Sequence, residues 1–128
     1  MRFLIPVEPY PQRRPRVFKT KTGKYLTIYP GAGAKQQAMI REFVLKNGAK
    51  KFPKPTPLRL EVKFVLKKPS SARRKYPSVR PDLDNYIKLL KDALSGYLWD
   101  DDGQIVELTA KKVYGEMPHI ELEVEQVA

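Results

Sequence analysis

The chain has 128 residues, with 25 Lys plus Arg against 14 Asp plus Glu and a formal net charge of +11, which is length for one ordinary core and not for two. It contains no cysteine and one histidine, and this excludes disulfides, thiolate zinc sites, cysteine nucleophiles and any two-histidine metal site within the chain. No apolar run approaches a membrane span and the N-terminal residues lack a signal peptide's apolar stretch, so the expectation is a single cytoplasmic domain over 1–128 with no membrane partner.

In chain order, residues 2–7 read as an opening strand and 25–29 as a second short one. Between them lies a basic stretch, near 10–24, in which Arg13, Arg14, Arg16, Lys19, Lys21 and Lys24 are interleaved with Pro11, Pro15 and Phe18. The prolines argue against a regular helix and predict a semi-extended, mobile basic arm. After a turn at 31–33, Ala38, Met39, Ile40, Phe43, Val44 and Leu45 fall mostly on one side of a helix that Gly48 stops. Leu58, Leu60, Val62, Phe64 and Leu66 then alternate with Arg59, Glu61, Lys63 and Val65, the two-residue period of a half-buried strand.

A second basic loop, 68–81, carries Lys68, Arg73, Arg74, Lys75 and Arg80 among Pro69, Ser70, Ser71 and Pro77, and is again expected to be a mobile arm. It leads into the strongest helical pattern of the chain: Leu83, Ile87, Leu90 and Leu94 recur at steps of four, three and four, and Gly96 ends the element. Two strands, 105–114 and 120–127, follow, joined through Gly115 and Pro118. The order predicts an α+β single domain, a mixed β-sheet with two main helices packed on one face.

Charge is distributed unevenly along this plan. Through residue 81 there are 21 Lys plus Arg against three Glu, a balance of +18; from residue 82 on there are four against eleven, a balance of −7. All six aspartates lie within 82–102. Crowded carboxylates repel and need a compensating cation, while a basic body attracts phosphate. With only oxygen ligands in number, hard ions such as Mg²⁺, Mn²⁺ or Ca²⁺ are the candidates, and the pattern suits a metal-dependent enzyme acting on a polyanion. The competing reading is a non-catalytic nucleic-acid-binding module whose aspartates only cap helices and form ion pairs.

Two places carry the acids. Asp82 and Asp84 flank the start of the second helix, where one of them could cap it; residues two apart on an established helix diverge by about 200°, so both reach one point only if Asp82 is still in extended backbone. Asp84, Lys88 and Asp92 follow at steps of four and share a helix face. For Asp92 this predicts a surface ion-pair ladder, and for Lys88 electrostatic support of a reacting phosphate. The second place is Asp100, Asp101 and Asp102 before Gly103. A turn needs fewer acids. A calcium loop of the EF-hand type fails, since with Gly103 at its sixth position the first and twelfth positions would be Leu98 and Thr109.

The string RPDLDNYIKLLKDAL followed by WDDDGQIVEL resembles the core motif of the RusA-type crossover junction endodeoxyribonucleases, small Holliday junction resolvases of bacteria and phages. The resemblance covers residues 80–112, and the Pro-x-x-Arg-Pro-Arg segment from Pro11 to Arg16 resembles other members. It implies a phosphodiester hydrolase with metal-binding acids at Asp82, Asp84 and Asp102, a helical lysine at Lys88 and Mg²⁺ (or Mn²⁺) as cofactor. Three consecutive aspartates stand where the pattern shows two, so the register rests on Gln104, with Asp101 in reserve. The implied partner is branched DNA, a four-way junction, cut symmetrically by a homodimer. Arg13, Arg14, Arg16, Lys19, Arg73, Arg74, Lys75 and Arg80 are the expected phosphate contacts. Lys112 resembles a recurring family lysine and is expected either to touch phosphate or to be an idle exposed strand residue. A flap or other branched-DNA nuclease is the alternative activity.

Overall fold

The computed structural model describes residues 1–12, 16–28 and 33–128. Its elements are β1 (Arg2–Ile5), β2 (Arg16–Lys19), β3 (Tyr25–Ile28), α1 (Ala34–Lys46), β4 (Leu58–Lys67), α2 (Leu83–Leu94), β5 (Ile105–Gly115) and β6 (His119–Gln126). A four-stranded mixed sheet runs in the order β1-β6-β4-β5, with β4 antiparallel to β6 and parallel to β5. The expected α+β architecture is therefore present, both helices contributing to one core against one face of the sheet. No helix among the described residues is long and apolar enough to cross a membrane.

The alternation in β4 is realised as read: Leu58, Leu60, Val62 and Phe64 are buried, while Arg59, Glu61 and Lys63 face the other way. Phe3 and Ile5 of β1 and Ile120, Leu122 and Val124 of β6 extend the apolar face. Onto it α2 presses Tyr86, Leu89, Leu90, Ala93 and Leu94, and α1 adds Ile40 and Val44. The Phe64 and Tyr86 rings meet at 5.5 Å, tilted by 32°, and so fix α2 over the central strand. On the uncovered face, charges of opposite sign oppose one another across strands, as in Arg59 with Glu107 and Glu125, and Lys63 with Glu121.

Three features differ from or go beyond the expectations. The two C-terminal strands, expected as consecutive strands joined through Gly115 and Pro118, are not neighbours in the sheet, because β4 lies between them. The chain crosses from β5 to β6 close over β4; a Cβ on Gly115 would come within 2.5 Å of Val65 Cγ1, and Val65 is buried although it sits on the otherwise charged face. Second, residues 16–28 form a β-hairpin rather than a semi-extended arm, closed by Thr20 N–H to Lys24 O and Gly23 N–H to Thr20 O. Val17, Phe18, Tyr25 and Leu26 are all exposed, so no burial period advertised β2. Arg13, Arg14 and Pro15, and the turn residues Gly31 and Ala32, lie outside the described residues. Third, the 68–81 segment is not a free arm: it is tied to β5 at two points. Arg74 Nε donates to the Tyr114 hydroxyl at 2.9 Å, and Lys112 Nζ donates to two carbonyls near the segment's end.

Candidate active site

The register of the sheet decides what faces α2. Leu60, Val62 and Phe64 of β4 stand beside Leu108, Ala110 and Lys112 of β5, so these β5 side chains project on the helix-covered face. Because β5 is an edge strand, a cleft of about 400 Å³ opens there, lined by Asp84, Ile87, Lys88, Lys91, Asp92, Asp102 and Leu108. Acids from the two ends of α2 and its connection to β5, remote in sequence, thus share one space.

Asp82 is the residue before the helix, with φ −67° and ψ 145°, the extended backbone that sequence reasoning required of it. It caps α2 through its carbonyl, which accepts from Asn85 N–H at 3.1 Å, and its side chain makes no cap hydrogen bond. Asp84, Lys88 and Asp92 lie exposed along the cleft. No ion pair joins them among the described residues, so the ladder expected of Asp92 is not formed. Asp92 instead adds a third carboxylate to the cleft wall, which its place one further turn along the Asp84 and Lys88 face could have signalled. Among the described residues no three acids stand close enough together to hold an ion as they are.

The three consecutive aspartates have separate partners. Asp100 takes an ion pair from Lys51 at 2.8 Å and a hydrogen bond from Lys54 N–H at 3.0 Å, and these hold its carboxyl below the usual aspartate range. Asp101 is exposed and opens the short 3-10 turn Asp102–Gln104. Asp102 accepts from the indole N–H of the fully buried Trp99 at 2.7 Å and alone of the three lines the cleft. Gln104, which sequence reasoning used only as a marker of register, organises the turn. Its buried Oε1 accepts from the N–H groups of Asp100 and Asp101, and its Nε2 donates to the carbonyls of Phe52 and Thr56. All four of its hydrogen-bonding positions are filled.

Of the other expected residues, Lys19 is exposed on β2, its ammonium 6.0 Å from the Tyr25 ring. Arg16 begins that strand. Arg73, Lys75 and Arg80 are exposed on the tied segment, whereas Arg74 is half-buried against Tyr114, its guanidinium 5.8 Å from the ring. Lys112, for which the sequence offered phosphate contact or idle exposure, has its ammonium on Val79 O at 2.7 Å and Pro81 O at 2.8 Å. Gln12 N–H donates to Asn85 O at 3.0 Å, so the start of the Pro-x-x-Arg-Pro-Arg segment is fastened to the first turn of α2.

A carboxylate cleft with an ammonium beside it, on a chain of net charge +11, belongs to the class of proteins that handle phosphate backbones. Comparison with known proteins gives the family. Residues 6–125 match the family model described as "Endodeoxyribonuclease RusA". The chain is 34% identical over 121 residues to a protein of Lactococcus phage r1t named "Crossover junction endodeoxyribonuclease rusA", covering 93% of this chain and 91% of that one. It is also 42% identical over 52 residues to the uncharacterized protein YqaN of Bacillus subtilis, a match covering 41% of this chain and 37% of that one. The chain belongs to the RusA family of endodeoxyribonucleases, enzymes that hydrolyse phosphodiester bonds, and membership supports a junction-resolving role. The reading of the chain as a non-catalytic nucleic-acid-binding module falls with it.

Proposed function

We propose that this protein resolves Holliday junctions by cutting two symmetry-related strands, with Mg²⁺ (Mn²⁺ as substitute) held by Asp82, Asp84 and Asp102. The observation that carries the reading is the meeting of Asp84 and Asp102 with Lys88 in one cleft. The donor set suits a hard divalent ion, since it offers carboxylate oxygens that no protein cation neutralises among the described residues. Asp82, in extended backbone two residues before Asp84, has its side chain free of capping duty, which supports its joining them. Such an ion supplies an activated water and offsets charge on the scissile phosphate. Lys88 adds a preorganised positive charge at the same phosphate. By the family resemblance the products are a 5′-phosphate and a 3′-hydroxyl.

Arg13, Arg14, Arg16, Lys19, Arg73, Lys75 and Arg80 grip the DNA backbone, and the Gln12 to Asn85 hydrogen bond supports this by fastening the residue that precedes the first of them to α2. A homodimer presents two such sites about a two-fold axis, matching the symmetry of a four-way junction, in the cytoplasm of a bacterium or of a phage-infected cell. The test is substitution: Asp82→Asn, Asp84→Asn and Asp102→Asn each keep junction binding in chelator and lose cleavage in Mg²⁺ by roughly a hundredfold or more. Full activity in any one removes that residue from the metal set. Cleavage of a four-way junction, a flap and a plain duplex side by side decides among substrates, and a preference for the flap overturns the junction assignment.

A further inference from the structure

Lys112 sits on β5 next to Phe64 of β4, on the sheet face that α2 covers. Its stem is half-buried, and its ammonium donates to Val79 O at 2.7 Å and Pro81 O at 2.8 Å. These carbonyls bracket Arg80, and the second belongs to the peptide unit that enters Asp82. Fixing the plane of that peptide constrains φ of Asp82, and with it the direction in which the Asp82 carboxylate leaves the chain and the angle at which α2 begins. Two residues further along the same face of β5, the Tyr114 hydroxyl accepts from Arg74 Nε while its ring lies under the Arg74 and Lys68 cations at 5.8 and 5.9 Å. Pro77, between the two ties, is buried.

We infer that Lys112, seconded by Tyr114, is a positioning residue: it straps the 68–82 segment to the edge strand and sets Asp82 and Arg80 for catalysis, instead of binding phosphate. The chemistry favours this assignment. An ammonium has three N–H donors, and two of them are committed to carbonyls at short distances. Neither sheet nor helix supplies these carbonyls with a partner, and Lys112 holds both at once. One donor remains, so a phosphate contact could take only what the strap leaves over. The inference rests on the catalytic reading of Asp82, and it can be tested apart from that reading.

The decisive measurement uses the full chain with Lys112→Met, together with Lys112→Arg and Tyr114→Phe in case the first does not fold. Junction binding is followed in chelator across a range of salt, single-turnover cleavage at saturating junction in Mg²⁺, and amide hydrogen exchange over residues 79–84 without metal or DNA. The strap predicts an unchanged slope of log affinity against log salt, faster exchange confined to 79–84 and a cleavage rate lower by about ten- to a hundredfold. Lys112→Arg, which can still bridge two carbonyls, recovers part of both losses, and Tyr114→Phe loosens exchange near Arg74. A slope reduced by about one, with exchange unchanged, identifies a phosphate ligand and overturns the proposal. Unchanged exchange with an unchanged rate overturns it as well. If wild-type protein does not cleave while Lys112→Met still loosens 79–84 at constant salt slope, the strap stands and the nuclease reading is what fails.

Discussion

Asp100, Asp101 and Asp102 are neighbours in the chain, yet the fold gives each a different occupation. Asp100 is stabilised as a carboxylate by Lys51 and the Lys54 amide, and its pKa lies below the ordinary 3.8. A depressed folded-state pKa means that this stabilisation is complete above the unfolded value and is lost as pH falls through the folded one. Asp100→Asn therefore melts below wild type at neutral pH, and the gap closes in acid below about 3.8, as thermal melts across pH will register. Asp102→Asn keeps an acceptor for the Trp99 indole and is expected to fold but not to cleave; Asp101→Asn, away from the cleft, retains most of its activity in the same assay. Gln104→Leu strands two carbonyls and two amides in a buried turn and costs about 3 kcal/mol or more in denaturant unfolding. It also releases Asp102, so cleavage falls with stability.

At the scale of elements, α2 both closes the core and carries the acids, so damage to its packing reaches the site. Leu90, buried beneath it, becomes a cavity in Leu90→Ala, with an expected loss of about 2–5 kcal/mol visible in denaturant titration. Gly33 joins the two helices closely: its φ is +107°, and a Cβ there would meet Leu89 Cδ1 at 2.9 Å. The β2–β3 hairpin is the opposite case. Val17, Phe18, Tyr25 and Leu26 are exposed on it, and a two-stranded ribbon adds little to global stability. Replacing Lys19, Lys21 and Lys24 together by Ala should leave the unfolding midpoint within about 0.5 kcal/mol of wild type while flattening the salt dependence of junction binding by up to roughly one unit per lysine.

Across the whole molecule, a basic N-terminal two thirds and an acidic remainder fold so that Asp84, Asp92 and Asp102 line a cleft at the edge of the sheet, with Gln12 fastened to Asn85 and the 68–81 segment to β5. On the proposed mechanism, long-range attraction to DNA and local affinity for a cation are assigned to different parts of the surface. Junction affinity should fall linearly on a log–log plot with salt, by about 0.9 per phosphate neutralised, with cleavage by bound enzyme much less affected. Failure of affinity to respond to salt would remove the basic segments from the interface.

The residue pattern by itself settled α1, β4 and α2, because their apolar spacing matches a helix or strand period over ten or more residues. It also set the α+β class, the acid-rich segment and the family resemblance carried by the Asp-x-Asp-Asn start and the Gln104 register. It did not reveal β2, where Val17, Phe18 and Lys19 are all exposed and leave no period, or the insertion of β4 between β5 and β6, since strand order is a long-range choice that local alternation does not encode. The separate duties of three adjacent aspartates, the place of Asp92 in the cleft and the hold of Lys112 on the entrance to α2 were likewise decided only by the tertiary structure. Each depends on which groups the packing of the edge strand, the helix and their connection brings within reach of one another.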